Sequence, residues 1–503
     1  MDPIFIQRRK VLQALFYGAG AAALSACGGS SSSARSAAAA LTPEPTDSPL
    51  PPAPTGPEPL AAELPLTPGP LADIGPLAES EVPGILIPEG FSIRPVARHL
   101  ENPMTGLPDP LGLGGYNWHS FPDGGAVFPV EEDGGWVYVS NSEVPINGGV
   151  GALRFDADGR LMRAYSILRN TRTNCAGGPT PWGTWLSCEE VSDGLVYECH
   201  PLGTPSQAQV RPALGVFRHE AAAVDWKTRT VYLTEDRGDG RFYRFRSAGL
   251  VSSMTGKPSL DLDNGVLEVL EVDGFENGAY QEDATQARRV NRVKWVPVID
   301  PHRPQETVRR EIEHNTGAGA PGTRFRGGEG LWIQELPPSA QPPVLGADHP
   351  LRAVVFFACK GDNRVLALDV DNDLLEVVFD NEQLIGAGED AFDDVDNLVV
   401  SPAGDVIVAE DGDLMRLMVM IPNQPAKILL QILGGGSELT GPAFTADGSR
   451  LYFSDQRGMA GLGSRTGVTY ELTIPESFRQ PRSNVPSAMA QIHRPKKNSH
   501  GVT

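Results

Sequence analysis

Cysteine is scarce: the chain has five in 503 residues, at positions 27, 175, 188, 199 and 359. No two form a CxxC pair and none has a histidine at zinc-finger spacing, which excludes a dithiol redox motif and a small zinc module. Basic charge is also short, with 42 Lys and Arg against 63 Asp and Glu and a net charge of -21. A nucleic-acid binder needs a basic face to displace counterions from phosphates, so that class is excluded. There is no GxSxG elbow, no HExxH helix and no GxxxxGK[ST] loop, which leaves serine-hydrolase, zincin and P-loop chemistry without an anchor. The apolar run "VLQALFYGAGAAALSA" near the N-terminus is too short to span a bilayer comfortably.

That run follows Arg8 and Arg9 and ends in "LSAC", the pattern of a twin-arginine export signal with a lipoprotein box at Cys27. The expected organisation is a signal over 1–26, a disordered Pro/Ala/Ser-rich linker over 27–80, a globular body over 81–485 and a polar tail over 486–503. The expected location is periplasmic or cell-surface, with the chain lipid-anchored at Cys27. The linker reading rests on composition: it has no apolar periodicity to offset its ordering entropy, and its prolines extend it.

Glycine (56) and proline (45) are plentiful and supply turn geometry while disfavouring strand and helix interiors. From about residue 85, short apolar runs such as "GGWVYVSNSE", "RTVYLTEDRGDGRFYRFR" and "PAFTADGSRLYFSDQRG" alternate with Asp, Gly and Asn turns, which is strand-and-hairpin grammar. A run that ends in an acidic or polar pair, then a turn, then another run recurs along the chain. The predicted fold is all-β, a six-bladed β-propeller with helical and loop insertions, since about six blades fit the length. "QEDATQARRVNRV" and "PQETVRREIEHN" have helical composition and interrupt the rhythm between Ser259 and Asn315. "DVDNDLLE", from Asp369 to Glu376, reads as a blade hairpin rather than a calcium loop, lacking the Gly and final Glu of an EF-hand.

In a propeller the inner strands converge on a channel, so polar residues at their ends meet although distant in sequence. The candidates are Asn141, Glu143, Asn174, Cys175, Glu189, Glu190, His219, Glu220, Glu235, Asp236, Glu329, Asp396, Asn397 and Glu438. One carboxylate at a strand end is ordinarily a solvated turn residue. Recurrence once per blade points instead to an acidic funnel suited to hard cations. The cysteines of the body read equally as small buried residues or as a disulfide.

The stretch "NCAGGPTPWGTWLSCEE" closely resembles the most distinctive block of the PhoX family of alkaline phosphatases. "GYNWHSFPDG", "VYVSNSE", "GVFRHEAAAV", "RGGEGLW", "DNLVVSPAG" and "ELTGPAFTADG" follow the family's order, from about Leu111 to Gly458. The resemblance implies metal-assisted hydrolysis of phosphomonoesters at alkaline pH, with about two Fe3+ and about three Ca2+ ions at the channel. Cys175, Glu220 and Glu329 match the iron-binding blocks; Glu143, Glu189, Glu190, Asp236 and Asp396 are implied as calcium or supporting ligands. Gly177, Gly178 and Pro181 would stiffen the loop that aims Cys175. Where relatives place an Asn after Cys-Glu-Glu this chain has Val191, and their phosphate-clamping arginine falls at Gly327, with Arg326 the nearest guanidinium. The expected partner is a small phosphoester bound by a monomer. Two other functions fit a propeller, a calcium-dependent lactonase-type hydrolase and a non-catalytic metal-binding envelope protein.

Overall fold

Short runs of Val, Ile, Leu, Phe and Tyr form strands whose two faces are both covered. Gly135–Ser142 and Ala353–Cys359 are buried at every residue, because each sheet packs between two others rather than facing water. The structure is a computed structural model that describes residues 63–109, 111–280, 290–380, 394–422, 424–458 and 467–481. The expected signal, the anchor at Cys27 and the tail at 486–503 lie outside the described residues.

The strands form propeller-like antiparallel sheets. One holds Pro122–Val130, Gly135–Ser142, Gly148–Phe155 and Leu161–Thr171 in that order; the next holds Asn174–Pro179, Trp185–Glu189, Val196–Cys199 and Gln209–Val210. A nine-stranded sheet runs from His219–Asp225 to Gly328–Glu335, its halves joined where Asn291–Pro297 pairs with Leu374–Asp380. Val395–Val400 begins a six-stranded sheet, and Leu439–Phe444 begins a last one. Ser92–Arg98 completes that last sheet by pairing with Val468–Thr473, so the start of the body locks onto its end. The first strands touch in a closed cycle: Pro122–Val130, Asn174–Pro179, His219–Asp225, Gly328–Glu335, Val395–Val400, Leu439–Phe444 and back to Pro122–Val130.

The core lies between successive sheets. Val137, Val139, Val150 and Ala152 of one sheet pack with Trp185 and Cys199 of the next, and Phe242 stacks on Phe357 with ring centroids 4.4 Å apart. Asp369–Glu376 forms a hairpin between Arg364–Asp369 and Leu374–Asp380, as its composition suggests.

Two expectations need correction. Residues 63–80 are ordered rather than part of a disordered linker: Leu64, Leu71 and Ile74 are buried, and Leu77–Glu79 pairs with Ile85–Pro88. Buried apolar side chains recur often enough here to offset the ordering cost that the prolines suggested. The second correction concerns "QEDATQARRVNRV". Its first nine residues lie outside the described residues, but Asn291–Pro297 is a strand, because pairing with Gly265–Val272 overrides local propensity. The helix expected in "PQETVRREIEHN" is present as Gln305–Thr316, closed by Gly317 at φ 68°, a left-handed cap that suits glycine. Arg309 docks it on the body through a two-armed ion pair with Glu235 at 2.8 and 3.0 Å.

The packed N-terminal segment yields a stability prediction. The Leu64 N–H donates to the buried Glu376 carboxylate at 2.5 Å, and burial, with the nearby Glu63 charge, pushes the Glu376 carboxyl up to about 7. An acid whose folded pKa exceeds its unfolded value destabilises the fold as pH rises from that unfolded value through 7. Glu376→Gln is therefore expected to raise stability at pH 8 by about 1–3 kcal/mol and to leave it nearly unchanged at pH 4. Urea unfolding of both proteins at the two pH values checks the sign.

Candidate metal centre

Each first strand meets the end of the second strand of its sheet in the same register. The facing pairs are Pro122 with Ser142, Asn174 with Glu189, His219 with Glu235, Gly328 with Cys359, Val395 with Glu410 and Leu439 with Asp455. Just beyond each of the first five pairs the register slips, and in the sixth it slips one residue later, after Thr440 pairs with Ser454. Such a bulge twists the strand and re-aims a side chain that the ladder would otherwise hold. The residue after each first member is Asp123, Cys175, Glu220, Glu329, Asp396 and Thr440 in turn. Five of these six are metal-ligand types. The residue directly after each second strand is Glu143, Glu190, Asp236, Lys360, Asp411 and Gln456. The fold thus presents two sets of equivalent positions, one on bulges and one on strand ends.

Small residues let the bulges approach. After Asp123 and Glu329 come Gly124 and Gly330, where an added Cβ would lie 2.8 Å from Ala176 C and 2.6 Å from Asn397 Cα, both backbone atoms of the neighbouring first strand. Convergence of the acidic side chains depends on this close backbone packing.

Among the described residues, four groups of side chains have ligand atoms within 4.8 Å of one another: Asp123, Glu143 and Cys175; Cys175, Glu190 and Glu220; Glu220, Glu329 and Asp396; and Asp396, Asp411 and Glu438. Consecutive groups share Cys175, Glu220 and Asp396, so they form one continuous arc. Burial, reinforced by neighbouring carboxylates, holds Asp123, Glu190, Glu220 and Glu329 well above the usual carboxylate range. The same burial and charges raise the Cys175 thiol, and burial pushes Glu143 up to about 7. So many acids ionise together only if cations compensate them.

Two observations test the fit to metal ions. The buried atoms Glu220 Oε2 and Glu329 Oε1 have no hydrogen-bond partner among the described residues, which is costly unless a ligand occupies them. The donor set joins one thiolate to many carboxylates, suiting a borderline-soft ion beside Cys175 and hard ions elsewhere. The residues fit the ions that the sequence resemblance implies.

Asn141 holds the Cys175 bulge. Its amide donates to the Cys175 carbonyl at 2.7 Å and to the Ala176 carbonyl, and its oxygen accepts from Trp185 Nε1 and Ser187 Oγ, each at 2.9 Å. Trp182 and Trp185 are both 1 % exposed and wedge this loop into the adjoining core. Asn141→Ala strands several buried polar groups, and a loss of about 2–4 kcal/mol is expected, read as a lower urea midpoint. Asn141→Asp keeps the acceptor and loses the donors, so it should fall in the same direction.

The structure separates sequence neighbours that looked equivalent. Glu189 is not in the arc; its carboxylate accepts from the backbone N–H groups of Arg172 at 2.9 Å and Leu195 at 3.3 Å, and pleat alternation sends Glu190 to the arc instead. Glu235 is taken by Arg309, whereas Asp236 reaches the acids: a Cβ on Gly327 would be 3.1 Å from Asp236 Oδ1 and 3.2 Å from Glu329 Oε1. His219 is fully buried and faces Gly215, its Nε2 3.1 Å from that carbonyl. Asn174 pairs with Ser187 Oγ at 2.9 Å, and Asn397 Nδ2 donates to Asp396 at 2.7 Å. Cys188 and Cys199 are free thiols, buried small residues rather than a disulfide. Arg326 is exposed, and it is position 327 that opens onto the acids.

Asp123, Asp411, Lys360 and Gln456 were missed by sequence reasoning. Aligning the six hairpins on their endings "SE", "EE", "ED", "CK", "ED" and "DQ" would have found three of them, and the parallel "PDG", "NCA", "HEA", "GEG" and "VDN" the fourth.

The family model for alkaline phosphatase PhoX matches residues 149–339. PhoX of Pseudomonas fluorescens, solved with vanadate, a transition state analogue, superposes with a TM-score of 0.61 at 16% identity, covering 84% of this chain and 100% of that one. A gluconolactonase of Xanthomonas campestris aligns over 80% of this chain and 98% of its own at 11% identity, with a TM-score of 0.36. A search of curated protein sequences finds no match. The PhoX match spans the segment that contains Cys175, Glu190, Glu220 and Glu329, and over that segment the chain is similar to the PhoX family of alkaline phosphatases.

Proposed function

We propose that the arc around Cys175 is a multi-ion centre that hydrolyses small phosphomonoesters at alkaline pH in an exported, lipid-anchored protein. The observation that carries this reading is the placement of Asp123, Cys175, Glu220, Glu329 and Asp396 at the equivalent bulge of five first strands. In this reading the closed cycle of first strands is a six-bladed propeller. Iron is held by Cys175, Glu220 and Glu329, and calcium by the carboxylates Glu143, Glu190, Asp236 and Asp396 with Asp123. Bound cations supply the charge that neutralises phosphate oxygens and orients phosphorus for in-line displacement.

The chain's own residues prepare the site. Asn141 fixes the Cys175 bulge, and Gln456 Nε2 donates to both Asp123 Oδ2 and Glu143 Oε2 at 2.8 Å, bridging that pair. Arg218, 3.4 Å from Glu190, and exposed Arg326 supply positive charge beside the acids, where it favours an anionic substrate. Gly327 leaves room over Asp236 and Glu329 that a larger side chain would fill.

Elemental analysis of natively purified protein, run beside p-nitrophenyl phosphate hydrolysis from pH 6 to 10, tests the reading. Iron and calcium together with turnover that rises into the alkaline range support it. Calcium without iron, or metals without turnover, would replace the proposed iron centre with another role for the arc.

A further inference from the structure

The strand-end positions break their own pattern once. Glu143, Glu190, Asp236 and Asp411 are acidic and Gln456 is neutral, but the fourth hairpin places Lys360 there. Lys360 follows the fully buried strand Ala353–Cys359, and its N–H donates to the Gly327 carbonyl at 2.9 Å. Its backbone is thus anchored beside the bulge that carries Glu329. The ammonium lies 2.8 Å from Asp396 Oδ2 and 2.6 Å from Asp411 Oδ2. Asp396, Asp411 and Glu438 form the last group of the arc, with ligand atoms spaced as a divalent ion would need. Arg457 engages the third member, Glu438, at 2.6 Å. Two protein cations therefore compensate three carboxylates.

We infer that Lys360 is a built-in cation that takes the place of a metal ion in the Asp396–Asp411–Glu438 group, so that the arc holds one ion fewer than its acidic groups allow. The inference rests on the proposed reading of the arc as a metal centre. An ammonium and a divalent ion compete for the same oxygens, and a tethered ammonium is present without loss of translational freedom on binding. Lys360 also acts as a positioning residue. It holds Asp396 Oδ2, while Asn397 Nδ2 donates to Asp396 Oδ1 at 2.7 Å, which fixes the carboxylate that Asp396 shares with Glu220 and Glu329. An asymmetric arc follows: the Cys175 end is filled by exchangeable ions and the Asp411 end by the chain itself.

The test is a count of bound ions by equilibrium dialysis of natively purified protein against 45Ca2+, with elemental analysis of the same samples. Lys360→Met should take up about one Ca2+ more than the wild type, and Lys360→Glu, which restores the acid found at the equivalent positions, should bind that extra ion more tightly. Lys360→Arg keeps a cation and should keep the wild-type count, so it remains informative if the neutral variant does not fold. An unchanged count in folded Lys360→Met, or a gain in Lys360→Arg, overturns the inference while leaving the metal centre intact. A wild-type protein that binds neither iron nor calcium overturns both.

Discussion

Cys175→Ser is expected to abolish the ion bound beside it and to reduce phosphomonoester turnover on the order of 10³-fold. Cys175 belongs to two of the four ligand groups, with Asp123 and Glu143 on one side and Glu190 and Glu220 on the other. A serine hydroxyl is similar in size, but it does not ionise at working pH and is a harder donor than a thiolate. The fold should survive, because the loop is held through its backbone carbonyls by Asn141 rather than through the thiol. Metal content, any visible absorption band and kcat should therefore fall together while the thermal transition moves little. Cys188→Ala is the control. That thiol is buried and free and lies outside every ligand group, so a loss of about 1 kcal/mol of stability with turnover unchanged is expected. Wild-type turnover in folded Cys175→Ser would remove the thiolate from the reaction.

The second large effect is steric. Gly124→Ala would place a Cβ 2.8 Å from Ala176 C and 2.9 Å from the Cys175 carbonyl oxygen. Both are backbone atoms of the neighbouring first strand, so no side-chain rotation relieves the clash, and the two strands must separate. A loss of about 3 kcal/mol or more is expected, with metal retention falling further because the displaced strand carries Cys175. Gly249→Ala is the matched control, since a Cβ there meets nothing within 4 Å; its change should stay within about 0.5 kcal/mol. Urea unfolding and metal analysis of both variants decide the matter. Equal stability of Gly124→Ala and wild type would mean that the bulges are not held by close backbone approach.

Much of the fold was legible because its signals are local. Alternating apolar runs, Asp-Gly turns and the acidic or polar pair that ends a hairpin belong to segments of ten to twenty residues, and their recurrence revealed a repeating β architecture. The block from Asn174 to Glu190 carried the resemblance to the PhoX family. Helical composition served well for Gln305–Thr316, which Arg309 fastens to Glu235. It failed at Asn291–Pro297, where a strand partner was available on each side. Proline content misled at residues 63–80, since burial of Leu64, Leu71 and Ile74 is a property of the surface they meet and not of the segment.

The site was legible as a list of acids but not as an arrangement. Glu189 and Glu190 are adjacent, as are Glu235 and Asp236, and His219 and Glu220, yet the first of each pair serves the scaffold, while Glu190 and Glu220 join the arc and Asp236 lies beside it. A slip of one residue at a bulge reverses which side chain points inward, and only the closed ring of first strands fixes where those slips fall. For the same reason Asp123, in an unremarkable Pro-Asp-Gly turn, became a ligand candidate. By itself the sequence determined the strands, the turns, the thiol and the supply of acidic groups, because these follow from local propensity and chemistry. The tertiary structure alone decided which acids meet, which are neutralised by Arg309, Lys360 or Arg457, and which are left for ions, because those outcomes depend on distances between residues up to several hundred positions apart.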